Sequence, residues 1–446
     1  MFKRFLLASA IVLILACPAN AQRKVQVFYD SLEQRQLREE FYVIAAQGNN
    51  LKHGAYKSYY PNGKTETLGK FTQDKRDSIF AVYHENGSLQ ARAAYKEGAK
   101  NGAFETYNFE GALQQKGMYL NDQLEGEVLT YYPNGKPMSK SNFSQNQLNG
   151  RVETYYAEGT PQEVSTYLAG KLNGLKTLYY ENGKMRAEEE YVIGMPHGIY
   201  KTYYETGELQ ISARNVNGMK DGEYLQYAEN GQVTLKTFYR QGSADKYHLA
   251  YYPDGKPKQE IYLKNSLRNG TEKGYYPNGQ IQYLIEHSDE ERNQISKEYY
   301  LSGKLKTEQF MENKLPTGVW IRYYESGIKQ WEQPYLAGKE EGTRKNYRLD
   351  GTLESTEDIK KGQRYGFLRQ YDTQGNLQEE TSYRANMKAG AYRKLHANQK
   401  NAVTGMYRYA KQNGEWKEFS AEGKLLKTTT YQEGRLISEK IEKIEK

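Results

Sequence analysis

A glycine returns every 24 residues along most of this chain, from Gly63, Gly87, Gly111 and Gly135 onward to Gly423. Fifteen of the sixteen registers hold glycine, Gln399 being the exception, and no insertion disturbs the count. So strict a beat constrains the fold more than any other feature. Each period must be one supersecondary unit, too small to bury a face alone, that leans on its neighbours. A second glycine series keeps the same step from Gly54 to Gly414, with Ser78, Lys246 and Gln294 as departures. A third position takes Gly, Asp or Asn in most copies, among them Gly98, Asp122, Asn146 and Gly170. These residue types tolerate positive φ. The reading is two turns per repeat, one at each end of a β-hairpin.

The front turn is spelled YYPNGK at 59–64 and 131–136, YYENGK at 179–184, YYPDGK at 251–256 and YYPNGQ at 275–280. Pro61 pre-sets φ for the first central residue of a type I turn, Asn62 suits the second, and Gly63 supplies the left-handed residue of a G1 bulge. That loop places Tyr59 opposite position 65. A two-residue type I′ turn would instead pair Tyr60 with 65, but tyrosine is more regular at 59. With each register named by its first-repeat number, the 59 register holds Tyr as far as Tyr371, then Leu395 and Phe419. The 71 register is mostly aromatic (Phe71, Tyr95, Tyr119, Phe143), and the 65 register mostly apolar (Leu89, Leu113, Met185). Two-residue alternation puts 65 and 71 on one face. Tyr59-type rings would then stack with Phe71-type rings between them. The change of parity from Tyr56 to Tyr59 predicts a bulge or kink there.

A repeat of the form G-x-aromatic-x-x-Y-Y-x-x-G, followed by an aromatic and another turn glycine, resembles the MORN repeat (membrane occupation and recognition nexus). Gly54 and Gly63 stand nine residues apart as in that family, and Tyr60 falls where its internal tyrosine does. The 24-residue length and Tyr-Tyr-Pro-Asn-Gly-Lys spelling are similar to the bacterial variant, some members of which are described as antitoxin-like. The resemblance implies an all-β fold: tandem 24-residue β-hairpin repeats in one long twisted antiparallel sheet. Lone hairpins are marginal in water, which agrees. Thirty-two strands at ~4.8 Å would span on the order of 150 Å. The organisation expected is a signal peptide over 1–21, a capping segment over 22–53, sixteen repeats over 54–437 and a charged tail over 438–446 that frays or forms a short helix. Within the cap, Val25–Tyr29 and Leu37–Ile44 read as strands, and Glu39 to Tyr42 as alternatively helical.

Composition agrees with a thin core. Hydrophobic residues are 37%, and 43 residues of the 446 are the amphipathic tyrosine. Mean hydropathy is −0.94. The net charge of +8 is spread over interspersed signs, which gives no nucleic-acid footprint. Lys3 and Arg4, the apolar run Leu6–Ala16 and Ala19-Asn20-Ala21 read as an export signal cleaved before Gln22. Periplasmic, outer-membrane-associated or extracellular residence follows. Cys17, the single cysteine, would anchor a lipoprotein, but Ile14-Leu15-Ala16 and Pro18 match that signal poorly. After cleavage at Ala21 no thiol chemistry or disulfide remains.

No catalytic, cofactor-binding or metal constellation stands out. Gly63-Lys64-Thr65 mimics the end of a phosphate loop, but that motif needs glycine where Ser58 stands. His53 and His197 precede second-series glycines, read as turn positions, and no two histidines have chelate spacing. Glu188-Glu189-Glu190 and Asp289-Glu290-Glu291 read as solvated charge on an open sheet rather than a general acid–base pair. The remaining signal is a second aromatic register: Tyr60, Tyr132, Tyr156, Tyr180, Tyr204, Tyr252, Tyr276, Tyr300 and Tyr324, with lysine after the turn at Lys64, Lys136, Lys184 and Lys256. On a free face these rows would bind glycan, peptide or anionic lipid headgroups; as plain strand residues their rings would cover backbone. The function expected is an exported, non-enzymatic scaffold that binds a protein partner, with glycan or lipid-surface binding, or inhibition of a partner in the antitoxin manner, as alternatives. No oligomeric state follows from the sequence.

Overall fold

A computed structural model describes residues 22–29, 36–46 and 48–442. The export segment and Cys17 lie outside the described residues. Residues through Gln210, with Asn215–Gly218, make one compact unit; Ile211–Arg214 and residues from Met219 make a second. Within each unit the described chain is all-β. Strands pair antiparallel with their chain neighbours in an open sheet of tandem hairpins.

The first repeat shows the rules. Strand Asn49–Tyr59 pairs with Thr65–Thr72, with Tyr59 opposite Thr65. Gly63 N–H donates to the Tyr60 carbonyl at 2.9 Å and Tyr60 N–H to the Lys64 carbonyl at 2.8 Å, with Gly63 at φ +82°. This is the three-residue loop with a G1 bulge that Pro61, Asn62 and Gly63 dictate. The back turn is two residues long, with Gln73 and Asp74 both at positive φ and Thr72 paired with Lys75. That is the type I′ geometry whose twist matches the flanking strands.

Parity fails where a residue is surplus. Ser58 pairs with Thr67 but Tyr59 with Thr65, so Glu66 bulges. The disturbance foreseen between Tyr56 and Tyr59 lies across the ladder, and the same shift recurs at Tyr83, Tyr107 and Tyr131. With that residue counted, positions 65 and 71 no longer share a face. The ring stack is corrected accordingly. Phe71 packs edge-on against Tyr56 and Phe80, at centroid distances of 5.3 and 5.2 Å, and Phe80 against Tyr95 at 5.4 Å. The partner of the 71 register is therefore the 56 register, not the 59 register.

The second glycine series is corrected as well. Gly54 and Gly102 lie inside strands rather than in turns. Between the pairs Leu68–Ala81 and Lys70–Asp77, residues 78–80 face Gly69 alone. Positive φ folds the two surplus residues out, and Ser78 and Lys246 keep it at +72° and +63° without glycine. Gln294 breaks the rule. Its ladder runs unshifted from Tyr283–Glu298 to Ser288–Asn293, and a four-residue loop, 289–292, replaces the two-residue turn. A glycine series marks positive φ, which a bulge requires as much as a turn does.

The core is the pairing of the 56 and 69 registers, and it compensates pair by pair. Tyr56 faces Gly69, Phe104 faces Gly117, Tyr392 faces Gly405, and Trp416 faces Thr429. Of the three charged large partners, Lys176 faces Glu189 and Arg344 faces Glu357, whereas Glu272 faces Ile285. Phe80, Phe104, Val128 and Trp416 are buried, as are the small polar residues Ser165, Thr237 and Thr381. A fully buried aromatic of this kind contributes about 1.5–3 kcal/mol. At the ends, Arg23–Phe28 pairs with Leu37–Ala46 as a strand cap, which rules out the helical option at Glu39–Tyr42. Arg435–Ile441 is a strand on Leu425–Gln432, so the start of the charged tail is neither frayed nor helical. The open edge of the last hairpin satisfies its backbone groups by pairing with it.

Candidate binding surface

The hexapeptide is a buckle between repeats. Tyr60 Oη donates to the Tyr83 carbonyl at 2.6 Å, Asn62 Nδ2 to the Glu85 carbonyl at 3.2 Å, and Lys64 Nζ to the Asn86 carbonyl at 2.8 Å. All three acceptors belong to the front turn of the next repeat. Asn62 Oδ1 also accepts the Lys64 N–H at 2.9 Å and so holds its own turn. The candidate aromatics repeat the first bond. The hydroxyls of Tyr132, Tyr156, Tyr180 and Tyr252 donate to the carbonyls of Tyr155, Tyr179, Tyr203 and Tyr275 at 2.7–2.8 Å. Those of Tyr276, Tyr300 and Tyr324 donate to Tyr299, Tyr323 and Tyr347 at 2.7–3.0 Å. Tyr204 stands at the same register, its N–H donating to the Glu208 carbonyl at 2.8 Å. Each of these seven hydroxyls is thus committed to main chain, and each ring lies half-buried over it.

Several post-turn lysines are committed likewise, whereas Lys256 pairs with Asp254 of its own turn at 2.9 Å. Lys136, Lys184 and Lys400 reach the carbonyls of Glu158, Thr206 and Glu422. Where glutamine replaces lysine, at Gln232 and Gln280, the neighbouring Asn230 and Asn278 amides turn back onto that glutamine. His84, His396 and Arg348 occupy the tyrosine register and aim ring or guanidinium nitrogens at the same carbonyl.

The charged runs are bonded to nearby groups, some across strands and some within one strand or loop. Glu188 accepts the Tyr203 hydroxyl, Glu189 that of Tyr191, and Glu190 the Ile199 N–H. Asp289 pairs with Arg292 at 2.6 Å. Tyrosines of the 59 register bond carboxylates, as Tyr155 does Glu153. Burial and that bond push the Tyr155 phenol up to about 12. Burial alone pushes the Glu332 carboxyl up, but bonds from Lys329, Lys345 and Tyr347 at 2.7–3.0 Å outweigh it and hold it at about 2. His197 stands inside a strand, and its Nδ1 accepts the Asn217 N–H at 3.4 Å; Asn173 and Glu341 hold the following back turns in the same way. His53 also lies in a strand. In the second unit His287 and Glu272 form a buried pair at 3.2 Å, joined by Tyr283 and Arg268. Among the described residues no group of His, Cys, Asp and Glu is placed to hold a metal.

The surface left over was not singled out from the sequence. In the first unit Ile79, Leu175 and Ile199 are exposed, all at the 55 register; in the second, Ile295 and Val319 are exposed at that register. Ile, Leu or Val at five of the sixteen copies of this strand position, between copies that hold Glu, Arg or Thr, was a weak signal. The bulges hid which parity faced solvent.

Nine segments match the MORN repeat variant: 52–72, 124–145, 172–192, 196–213, 220–241, 247–265, 268–289, 295–313 and 412–433. No curated protein matches the chain. Among solved structures, a chain of the Photorhabdus luminescens Tc holotoxin pore is similar at 10% identity and TM-score 0.14, over 88% of this chain and 26% of that one. A TcdB2-TccC3 structure gives 9% and 0.15, over 91% and 27%. The form without the hypervariable C-terminal region gives 10% and 0.15, over 92% and 30%. The chain thus spans less than a third of these structures' chains, and scores of that size assign no function. The nine matched segments, the 24-residue hairpin and the shared turn chemistry place this chain in the MORN repeat family, as a protein of the variant repeat.

Proposed function

We propose that the chain is an exported, non-enzymatic scaffold that binds a protein partner on its sheet. The observation that carries this reading is exposed Ile, Leu or Val at five of the sixteen positions of the 55 register, in adjacent repeats at Leu175 and Ile199 and again at Ile295 and Val319. Scattered exposed apolar residues are ordinary on a protein surface, but apolar residues recurring at one strand position make a contact surface. Repetition supports the same reading, because it multiplies area, whereas catalysis needs unlike groups converging at one place. The glycan- or lipid-binding alternative is less well served. Its tyrosine hydroxyls and the ammonium groups of Lys64, Lys136, Lys184 and Lys400 are atoms that close one repeat on the next.

The test is affinity capture from the native cell envelope with the mature full-length chain, followed by mass spectrometry. A defined protein should be retained by the wild type and lost by the double variant Ile79→Asp/Ile199→Asp. Retention of glycans or vesicles with no protein would reverse the reading. N-terminal sequencing of the exported chain should begin at Gln22; an acylated Cys17 would make it a lipoprotein instead.

A further inference from the structure

The ring stack at the start of the first unit is interrupted between Tyr95 and Phe104. Contacts run Tyr56–Phe71–Phe80–Tyr95 and resume at Phe104–Tyr119, whose centroids are 4.7 Å apart. Between Tyr95 and Phe104 the floor is alanine, Ala91 and Ala93, and a half-open slot of about 240 Å³ remains. Phe80 and Phe104 occupy the same register two strands apart, roughly 9.6 Å at ordinary strand spacing. One ring midway would sit about 4.8 Å from each, within the usual 4.5–7 Å range of aromatic pairs. Three cations line the slot: Arg92, and two that sit over rings. The Arg76 guanidinium lies 5.0 and 5.2 Å from the Phe80 and Tyr95 centroids, and Lys100 Nζ lies 4.8 Å from that of Tyr119. Neither has an ion-pair partner among the described residues. The slot's one carboxylate, Glu105, is bound by Arg92 at 2.6 Å and by Tyr107. The nearby Asp122 carboxylate accepts the main-chain N–H of Lys100 at 2.8 Å. The slot is therefore ring-sized, with rings and alanines beside the polar side chains of Thr67, Thr106 and Gln115, and its charged lining is net positive.

We infer that this slot takes an aromatic side chain of an acidic polypeptide segment, with carboxylates next to that residue settling on Arg76 and Lys100. The slot lies on the face of Phe80, opposite that of the exposed Ile79, so the inference adds a second contact to the protein-binding reading and rests on it. A charge beside an anchored ring supplies both the desolvated contact and the orientation that a peptide needs on a sheet surface.

The probe is a fluorescein-labelled Asp-Asp-Trp-Asp-Asp peptide, capped at its C-terminus and titrated by anisotropy against the mature full-length protein. Saturable binding is expected. It should weaken at least tenfold when the peptide's Trp becomes Ala, when its Asp residues become Lys, or when the protein carries Ala93→Leu, which fills the slot. Arg76→Glu/Lys100→Glu should weaken it comparably. Lys388→Glu, at a cation over Tyr407 where the stack is unbroken, should leave it within twofold. Circular dichroism melts confirm that each variant is folded. Absence of binding at millimolar peptide, indifference to Ala93→Leu, or equal affinity for free indole-3-acetate overturns the assignment. If Ala93→Leu still captures the wild-type partner from the envelope, the slot is refuted and the scaffold stands. If the peptide binds as expected but no envelope protein is captured, the slot's chemistry stands and the scaffold reading fails.

Discussion

Four glycines in this chain are needed for space rather than for φ. Gly69, Gly117, Gly274 and Gly405 lie in extended strand, and a Cβ on any of them would run into a ring: Phe80, Phe104, Tyr283 or Trp416. A thin core has few places where a large side chain can be buried, so the facing residue must be absent for the ring to lie down. Gly405→Ala is expected to cost about 1–3 kcal/mol by overpacking, and a urea melt reads it. The effect should shrink in the background Trp416→Leu, since the overlap is with the indole. Glu332 is the residue with the clearest pH signature. Its carboxyl is held at about 2 in the folded chain against 4.5 as its ordinary value, so its contribution is complete above about pH 4.5 and lost as pH falls toward 2. Glu332→Gln should lower stability by about 1–3 kcal/mol near neutrality. The melting-temperature gap between variant and wild type should close between pH 4.5 and 2; a gap independent of pH would refute the assignment.

At the scale of the hairpin, the front turn has two jobs. Pro, Asn and Gly set the loop, and Tyr, Asn and Lys reach the next loop. The variant Tyr132→Phe/Asn134→Ala/Lys136→Ala removes three such bonds and is expected to cost about 1–3 kcal/mol, at roughly 1 kcal/mol or less for each partly exposed bond. Asn230→Ala/Gln232→Ala, whose side chains bond each other, should cost no more than about 0.5 kcal/mol. Equal losses in chemical denaturation would show that these side chains hold only their own turn. The turn type was legible because the residues that dictate it are adjacent in sequence. The strand faces were not. One surplus residue at Glu66 and two at 78–80 each shift the pairing, and alternation counted along a strand cannot register a residue whose partner is missing across the ladder.

For the whole molecule, the invariant step means that a repeat is a removable part. Excising residues 135–158 joins Asn134 to Gly159 and keeps every register. The shortened protein is expected to stay folded and all-β by circular dichroism, with a denaturant m-value reduced in proportion to length. Excising 135–146 deletes one strand, Pro137–Ser144, and reverses the direction of all that follow. It should abolish the cooperative transition or aggregate. A chain that tolerates both excisions would not be built from paired strands in register.

Sequence by itself determined the period, the hairpin, the three-residue front loop and membership of a repeat family, because each is written within a few adjacent residues and then copied. It also supplied the tyrosines and lysines of the hexapeptide, but not their use. Tertiary structure decided that their polar atoms close one repeat on the next, that the 56 and 69 registers make the core, and that Ala91 and Ala93 leave a slot. Those outcomes depend on which residues face each other across strands, and the bulges that set this facing arise from pairing, which no single stretch of chain contains.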